Sequence, residues 1–134
     1  MAVAWYTEGK NYFLRGDVHW DTDTIHVQLL DTGYTFSAAH GTMETASFPA
    51  ATREGDSTAL ASKTVSGGIA DAADTTIANV ATSQSVNALV VYLYNTGTSS
   101  ADIPLFYVDA GTGFTLTTDG NNVLLTWAGG GLIS

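Results

Sequence analysis

The densest run of groups able to do chemistry is Asp17-Val18-His19-Trp20-Asp21-Thr22-Asp23, with His26 close behind. Alternate residues of an extended chain share a face, so Asp17, His19, Asp21 and Asp23 would converge on a divalent cation if the segment were straight. Asp-x-His also opens the metallophosphatase signature. That chemistry needs further motifs downstream, and neither Gly-Asp-x-x-Asp nor Gly-Asn-His-Glu follows, while His40 stands alone. The simpler expectation is a turn entering a strand at Ile25, with Asp21 or Asp23 bonding the backbone. No metal is assigned.

The other chemical candidates are thinner. Asp71, Asp74, Asp102, Asp109 and Asp119 fall where turns are expected. Two such loops can share a calcium, but no calcium-loop spacing with a following Glu exists, so they read as turn residues. No Gly-x-Ser-x-Gly marks a nucleophile. Gly67-Gly68 and Gly129 to Gly131 lack the strand–loop–helix setting of a phosphate cradle. The chain is therefore expected to have no catalytic residue and no cofactor. Arg15-Gly16-Asp17 spells an integrin-type tripeptide, read as a chance occurrence.

Large aromatics remain, and these either pack a core or anchor a partner. Trp5, Tyr6, Tyr12, Phe13 and Trp20 cluster near the N-terminus, and Met43 and Phe48 sit in a long loop. Trp5, Tyr6, Tyr12, Trp20, Met43 and Phe48 are the candidate partner-contact residues.

The elements that must position these side chains are mostly strands. Residues 4–16 carry aromatics near helical spacing, and a short N-terminal helix is expected there in spite of Gly9. Ile25, Val27 and Leu29 alternate with Thr24, His26 and Gln28, the period of a half-buried strand. After Asp31-Thr32-Gly33, residues 34–56 read as a long loop with one helical turn near 37–43, and 37–56 as a contact loop. Strands are expected at 59–66, 75–81, 88–94 and 103–109, the third buried on both faces. Pro104 is confined to the start of the fourth. Further turns are expected at 95–102 and 109–113. Asp119-Gly120 between Thr117 and Val123 reads as a hairpin turn, and residues 129–134 as a short C-terminal arm. Short strands at roughly ten-residue spacing favour an all-β, antiparallel β-sandwich or a jelly-roll-like small barrel.

Composition bounds the partners. The 134 residues suit one domain, 1–134, with a real core. Thirteen acids face four bases, Lys10, Arg15, Arg53 and Lys63, for a net charge of −9. Nucleic-acid binding needs clustered Lys and Arg, and anionic membranes would repel this chain, so neither is an expected partner. Charged residues make up only 13 % and apolar residues 45 %, which permits packed surfaces beyond the monomer core. There is no cysteine, hence neither disulfide nor thiolate metal site. No basic region precedes an apolar stretch at the N-terminus, and the longest apolar run, Ala88 to Tyr94, is far short of the ~20 residues of a membrane helix. A soluble protein made in a cytoplasm is expected.

The order of segments carries a resemblance. Trp20-x-x-Asp23-Thr24-Ile25-x-Val27-x-Leu29-Leu30-Asp31-x-Gly33-Tyr34-Thr35-Phe36 is followed by Ala39-His40 and Lys63-Thr64-Val65. Asp71-Ala-Ala-Asp74-Thr75-Thr76, Ala88-Leu-Val-Val-Tyr92, Asn95-Thr96-Gly97 and Tyr107-Val108-Asp109 come next, then Gly120-Asn121-Asn122 and Thr126-Trp127. This pattern, spanning about residues 5–128, resembles a group of small structural proteins of tailed-phage virions, of the capsid cement or decoration type. The 37–56 loop departs from it. The resemblance implies a decoration protein bound to the outer surface of the capsid lattice. Its partners would be the major capsid protein and itself, as a dimer or trimer, and its place the capsid surface of a virion made in the host cytoplasm. The alternative in the same group is a tail, baseplate or fibre module that recognises the host.

Overall fold

The most apolar, β-branched stretch of the chain, Ser85–Leu93, forms the centre of the structure, as such residues fit a pleated surface covered on both sides. The structure is a computed structural model that describes residues 3–95, 98–109 and 114–127. Strands are β1 (Val3–Trp5), β2 (Ile25–Asp31), β3 (Arg53–Asp56), β4 (Thr64–Ser66), β5 (Ile69–Asp71), β6 (Thr75–Ile77), β7 (Ser85–Leu93), β8 (Ile103–Val108), β9 (Leu116–Thr117) and β10 (Val123–Leu125). One helix, α1, spans Thr7–Arg15, and a short 3-10 turn covers Ala50–Thr52. The main antiparallel sheet runs β1-β8-β7-β2-β3, with β9 joining β7. Two antiparallel ribbons, β6/β10 and β4/β5, complete an all-β, sandwich-like fold.

Register decides which side chains share a face. Ile25, Val27 and Leu29 lie opposite Leu93, Val91 and Leu89, while Leu89 and Val91 face Val108 and Phe106. This first face packs on Val18, Trp20, Leu60, Ile77 and Val80, with Tyr12 and Phe13 of α1 and Val123 and Leu125 of β10 against it. On the other face His26, Gln28 and Leu30 lie opposite Tyr92, Val90 and Ala88. Strand β2 is therefore covered on both sides rather than half-buried. The second cover is the 34–48 segment, whose Tyr34, Phe36, Met43 and Phe48 pack with Tyr6 on Leu30, Val90, Tyr92 and Tyr107. The expected long loop ends earlier than position 56, because residues 53–56 pair with β2 as β3.

Helix α1 forms where expected. It ends in a Schellman motif: Gly16 at φ 76° donates to the Phe13 carbonyl, and Asp17 N–H reaches the Tyr12 carbonyl at 2.8 Å. At its start the Ala38 carbonyl accepts the Thr7 N–H at 2.8 Å, so the covering loop satisfies a group with no partner inside the helix. Pro104 lies where β8 shifts register against β7, and Gly9 of α1 sits over it. Pro104 thus avoids a regular ladder position.

Further expectations are corrected, and of the strand expected at 75–81 only Thr75–Ile77 forms. Between 59 and 66 only Thr64–Ser66 is a strand, paired with β5 through Gly67-Gly68 at φ 59° and 79°. Asp119-Gly120 makes a turn but not a hairpin, because β9 pairs with β7 and β10 with β6. The reason lies in buried Thr118. Its N–H donates to the Gln84 carbonyl at 3.0 Å, and its hydroxyl accepts the Gln84 N–H at 3.0 Å and donates to the Ala81 carbonyl. That stitching holds residue 118 at the 81–84 turn, so the chain passes from the main sheet to the ribbon. The centre of the 95–102 loop, most of the 109–113 turn and the 129–134 arm lie outside the described residues.

Candidate contact surface and buried polar clusters

The acidic segment before β2 is a turn. Asp23 Oδ2 accepts the His19 N–H at 2.6 Å, and the His19 carbonyl accepts the N–H of Asp23 at 2.9 Å. Asp17 pairs instead with Arg15 Nε at 2.7 Å. Among the described residues no group of three or more His, Cys, Asp and Glu is arranged to hold a metal ion. The segment serves the core: it buries Val18 and Trp20, whose indole N–H donates to the Asp71 carbonyl at 2.9 Å. Asp23→Ala should cost about 1 kcal/mol of unfolding free energy through the lost bond, read from the denaturant midpoint.

The six contact candidates divide. Tyr6, Trp20, Met43 and Phe48 are buried in the chain's own core. Trp5 and Tyr12 are half-buried. Trp5 meets Phe13 edge-on at 5.4 Å and Phe106 at 5.5 Å, and the Arg15 guanidinium lies 4.9 Å over the Tyr12 ring. Among the described residues the strongly exposed large apolar side chains are Leu14 at 86 %, Leu124 at 62 % and Val65 at 59 %. For Leu124 a signal existed. Val123-Leu124-Leu125 places three apolar residues in a row on a two-stranded ribbon, and a ribbon covered on one side must expose the middle one.

Two polar clusters lie on the second face. In the first, Tyr6 and Tyr34 hydroxyls are 2.8 Å apart, and the Tyr34 hydroxyl is 2.8 Å from His40 Nδ1. The Tyr34 ring stacks on Phe48 with centroids 5.0 Å apart. Burial pushes the Tyr6 hydroxyl far up and the Tyr34 hydroxyl up to about 12. Burial also pushes His40 down. In the second, Tyr92 donates to Asp56 Oδ2 at 2.7 Å, and His26 Nδ1 stands 3.8 Å from Asp56 Oδ1. The His26 ring stacks on Tyr94 at 4.2 Å. Partial burial raises the Asp56 carboxyl, against the opposing pull of the Tyr92 hydrogen bond and of His26.

Arg53 links the two clusters. Its guanidinium donates to the Phe48 carbonyl at 2.8 Å and to the Met43 carbonyl, clamping the covering loop to the sheet edge. The hydroxyl of buried Ser57 accepts the Val27 N–H at 2.8 Å. Among the described residues no hydrogen bond joins a serine hydroxyl to a histidine. An open groove of about 430 Å³ lies between α1 and the loops at 41–42 and 100–103, lined by Glu8, Tyr12, Arg15, Thr42, Ser100 and Ile103. Sequence reading missed the Tyr6–Tyr34–His40 chain, since its members are 28 and 6 positions apart and share no period. No family model matches the chain, nor does any curated protein.

Proposed function

We propose that the chain is a structural subunit of a tailed-phage particle: a decoration protein that binds the outer surface of the capsid lattice and stabilises the head without turnover. One observation carries this reading. Asp17, Asp23, His40 and Asp56 are bonded within the chain, whereas Leu14, Val65 and Leu124 project from three separate elements. The resemblance supports it at the level of fold, since its quoted residues are largely core and turn positions; function has to rest on the exposed surface.

Charge adds to the argument. Three of the four bases are committed within the chain: Arg15 to Asp17, Arg53 to the Phe48 and Met43 carbonyls, and Lys63 to the Leu60 carbonyl at 3.2 Å. At a net charge of −9 the outward field is negative. Such a surface repels packaged DNA and favours a basic docking face on the major capsid protein. Binding to the lattice should weaken as ionic strength rises.

The test is a triple variant, Leu14→Ser, Val65→Ser and Leu124→Ser, which leaves net charge unchanged. Each change should alter stability by no more than about 0.5 kcal/mol. Occupancy on the capsid should fall about tenfold or more, because loss of a buried apolar contact costs over 1 kcal/mol of binding. Wild-type occupancy by the stable variant would overturn the surface assigned here.

A further inference from the structure

The Tyr6–Tyr34–His40 chain contains more than packing requires. Tyr6 is fully buried and sits at the start of α1, Tyr34 lies on the covering loop, and His40 is at the half-buried end. Two hydroxyl protons must be placed among three heteroatoms. With His40 neutral, Tyr6 donates to Tyr34, Tyr34 donates to Nδ1 of His40, and both protons are satisfied. If Nδ1 takes up a proton it becomes a donor and the direction reverses. His40 then donates to Tyr34, Tyr34 donates to Tyr6, and the Tyr6 proton has no acceptor. Among the described residues the Tyr6 hydroxyl has no other hydrogen-bond partner. A buried donor left without an acceptor costs about 1–3 kcal/mol, so protonation of His40 weakens the closed loop.

We infer that the Tyr6–Tyr34–His40 chain is an acid-sensitive latch, which holds residues 34–48 against the second face of the sheet while His40 is neutral and releases them when it is protonated. Among the described residues no carboxylate forms an ion pair with His40. Phe48 meets its ring edge-on at 5.6 Å, and Tyr34 lies at 5.7 Å. Tyr107 of β8 packs behind Tyr34 at 5.8 Å. Carboxylates on the neighbouring segments are Glu8 of α1, whose Cγ lies 3.4 Å from where a Cβ on Gly41 would stand, and Glu44, whose Oε2 accepts from Thr42 at 3.2 Å. The Arg53 clamp and the His26–Asp56 pair act at the far end of the same loop.

The sign follows from His40. Its folded-state affinity for protons lies below that of an ordinary histidine. Closure is therefore most stable above the ordinary histidine value of about 6.5 and weakens as pH falls below it. The latch needs only local opening, because β7 and β8 are held by their own ladders.

Amide hydrogen exchange of the full chain, corrected for its intrinsic pH dependence, tests this. Protection of the His40, Met43 and Phe48 amides, which bond the Ser37, Asp102 and Glu44 carbonyls, should fall below pH 6.5, by up to about tenfold per pH unit, and level off once folded His40 is itself protonated. Protection in β7 should hold, and His40→Gln should abolish the pH-dependent part while His26 remains intact. The same pH dependence in His40→Gln, or loss of β7 protection in step, would overturn the latch. An NMR titration of wild-type His40 gives an independent reading. A midpoint below 6.5 supports the latch, and one at or above 6.5 refutes it.

Discussion

Phe48→Ala should destabilise the isolated chain by about 3–5 kcal/mol, the range for removing a fully enclosed aromatic ring. The ring stacks on Tyr34 at 5.0 Å, tilts against Tyr6 at 5.8 Å and faces His40 at 5.6 Å, with no exposed area. Truncation leaves a hole between the covering loop and β2 and β7. The Arg53 bond to the Phe48 carbonyl limits how far the loop can collapse into that hole. At about 4 °C per kcal/mol for a domain of this size, the melting midpoint should drop by roughly 12–20 °C. Were Phe48 a partner anchor on the surface, the isolated chain would change by no more than about 0.5 kcal/mol. Urea denaturation of wild type and variant separates the two.

The second large effect is a reversal of sign. Helix propensity alone says that Gly9→Ala should stabilise α1 by about 1 kcal/mol. A Cβ at position 9, however, would stand 2.5 Å from the Leu105 carbonyl oxygen and 2.7 Å from Leu105 Cα, both backbone atoms of β8. The helix has to lift off the strand, which strains the Tyr6 N–H bond to Leu105 at 3.1 Å and the contacts of Trp5 with Phe13 and Phe106. Overpacking against rigid backbone costs about 1–3 kcal/mol, and the net change should be destabilising by about 2 kcal/mol. A variant as stable as wild type, or more so, would show that α1 is not seated as described.

These two residues also mark how far the sequence could be read. Ile25, Val27 and Leu29 announce β2 because alternation is a local signal, and Ala88 to Tyr94 announce the central strand as an unbroken apolar run. The covering loop had no such signature. Tyr34, Phe36, Met43 and Phe48 follow no period, since a loop can bury a side chain at any spacing. Residue type alone cannot separate a core aromatic from a surface one, so Phe48 was as eligible for a partner as Trp5. Gly9 read as a weak point in a helix, because its close approach to β8 depends on a residue 96 positions away.

Short strands were illegible for a related reason. β1 and β3 have three and four residues, and their strand character comes from pairing with β8 and β2 rather than from propensity. Asp119-Gly120 predicted a turn correctly but not its partners, because Thr118 and the 81–84 turn select the sheet. The polar chain Tyr6–Tyr34–His40 and the Asp56 cluster depend on three-dimensional juxtaposition throughout.

The proposal that this chain is a repeated component of a phage head is tested most directly by counting its copies, relative to the major capsid protein, in purified phage particles by quantitative mass spectrometry. A capsid decoration protein should be present on the order of hundreds of copies, in a fixed ratio set by lattice symmetry. A few tens of copies or fewer would place the chain in the tail instead, and its absence from the particle would contradict a virion role altogether.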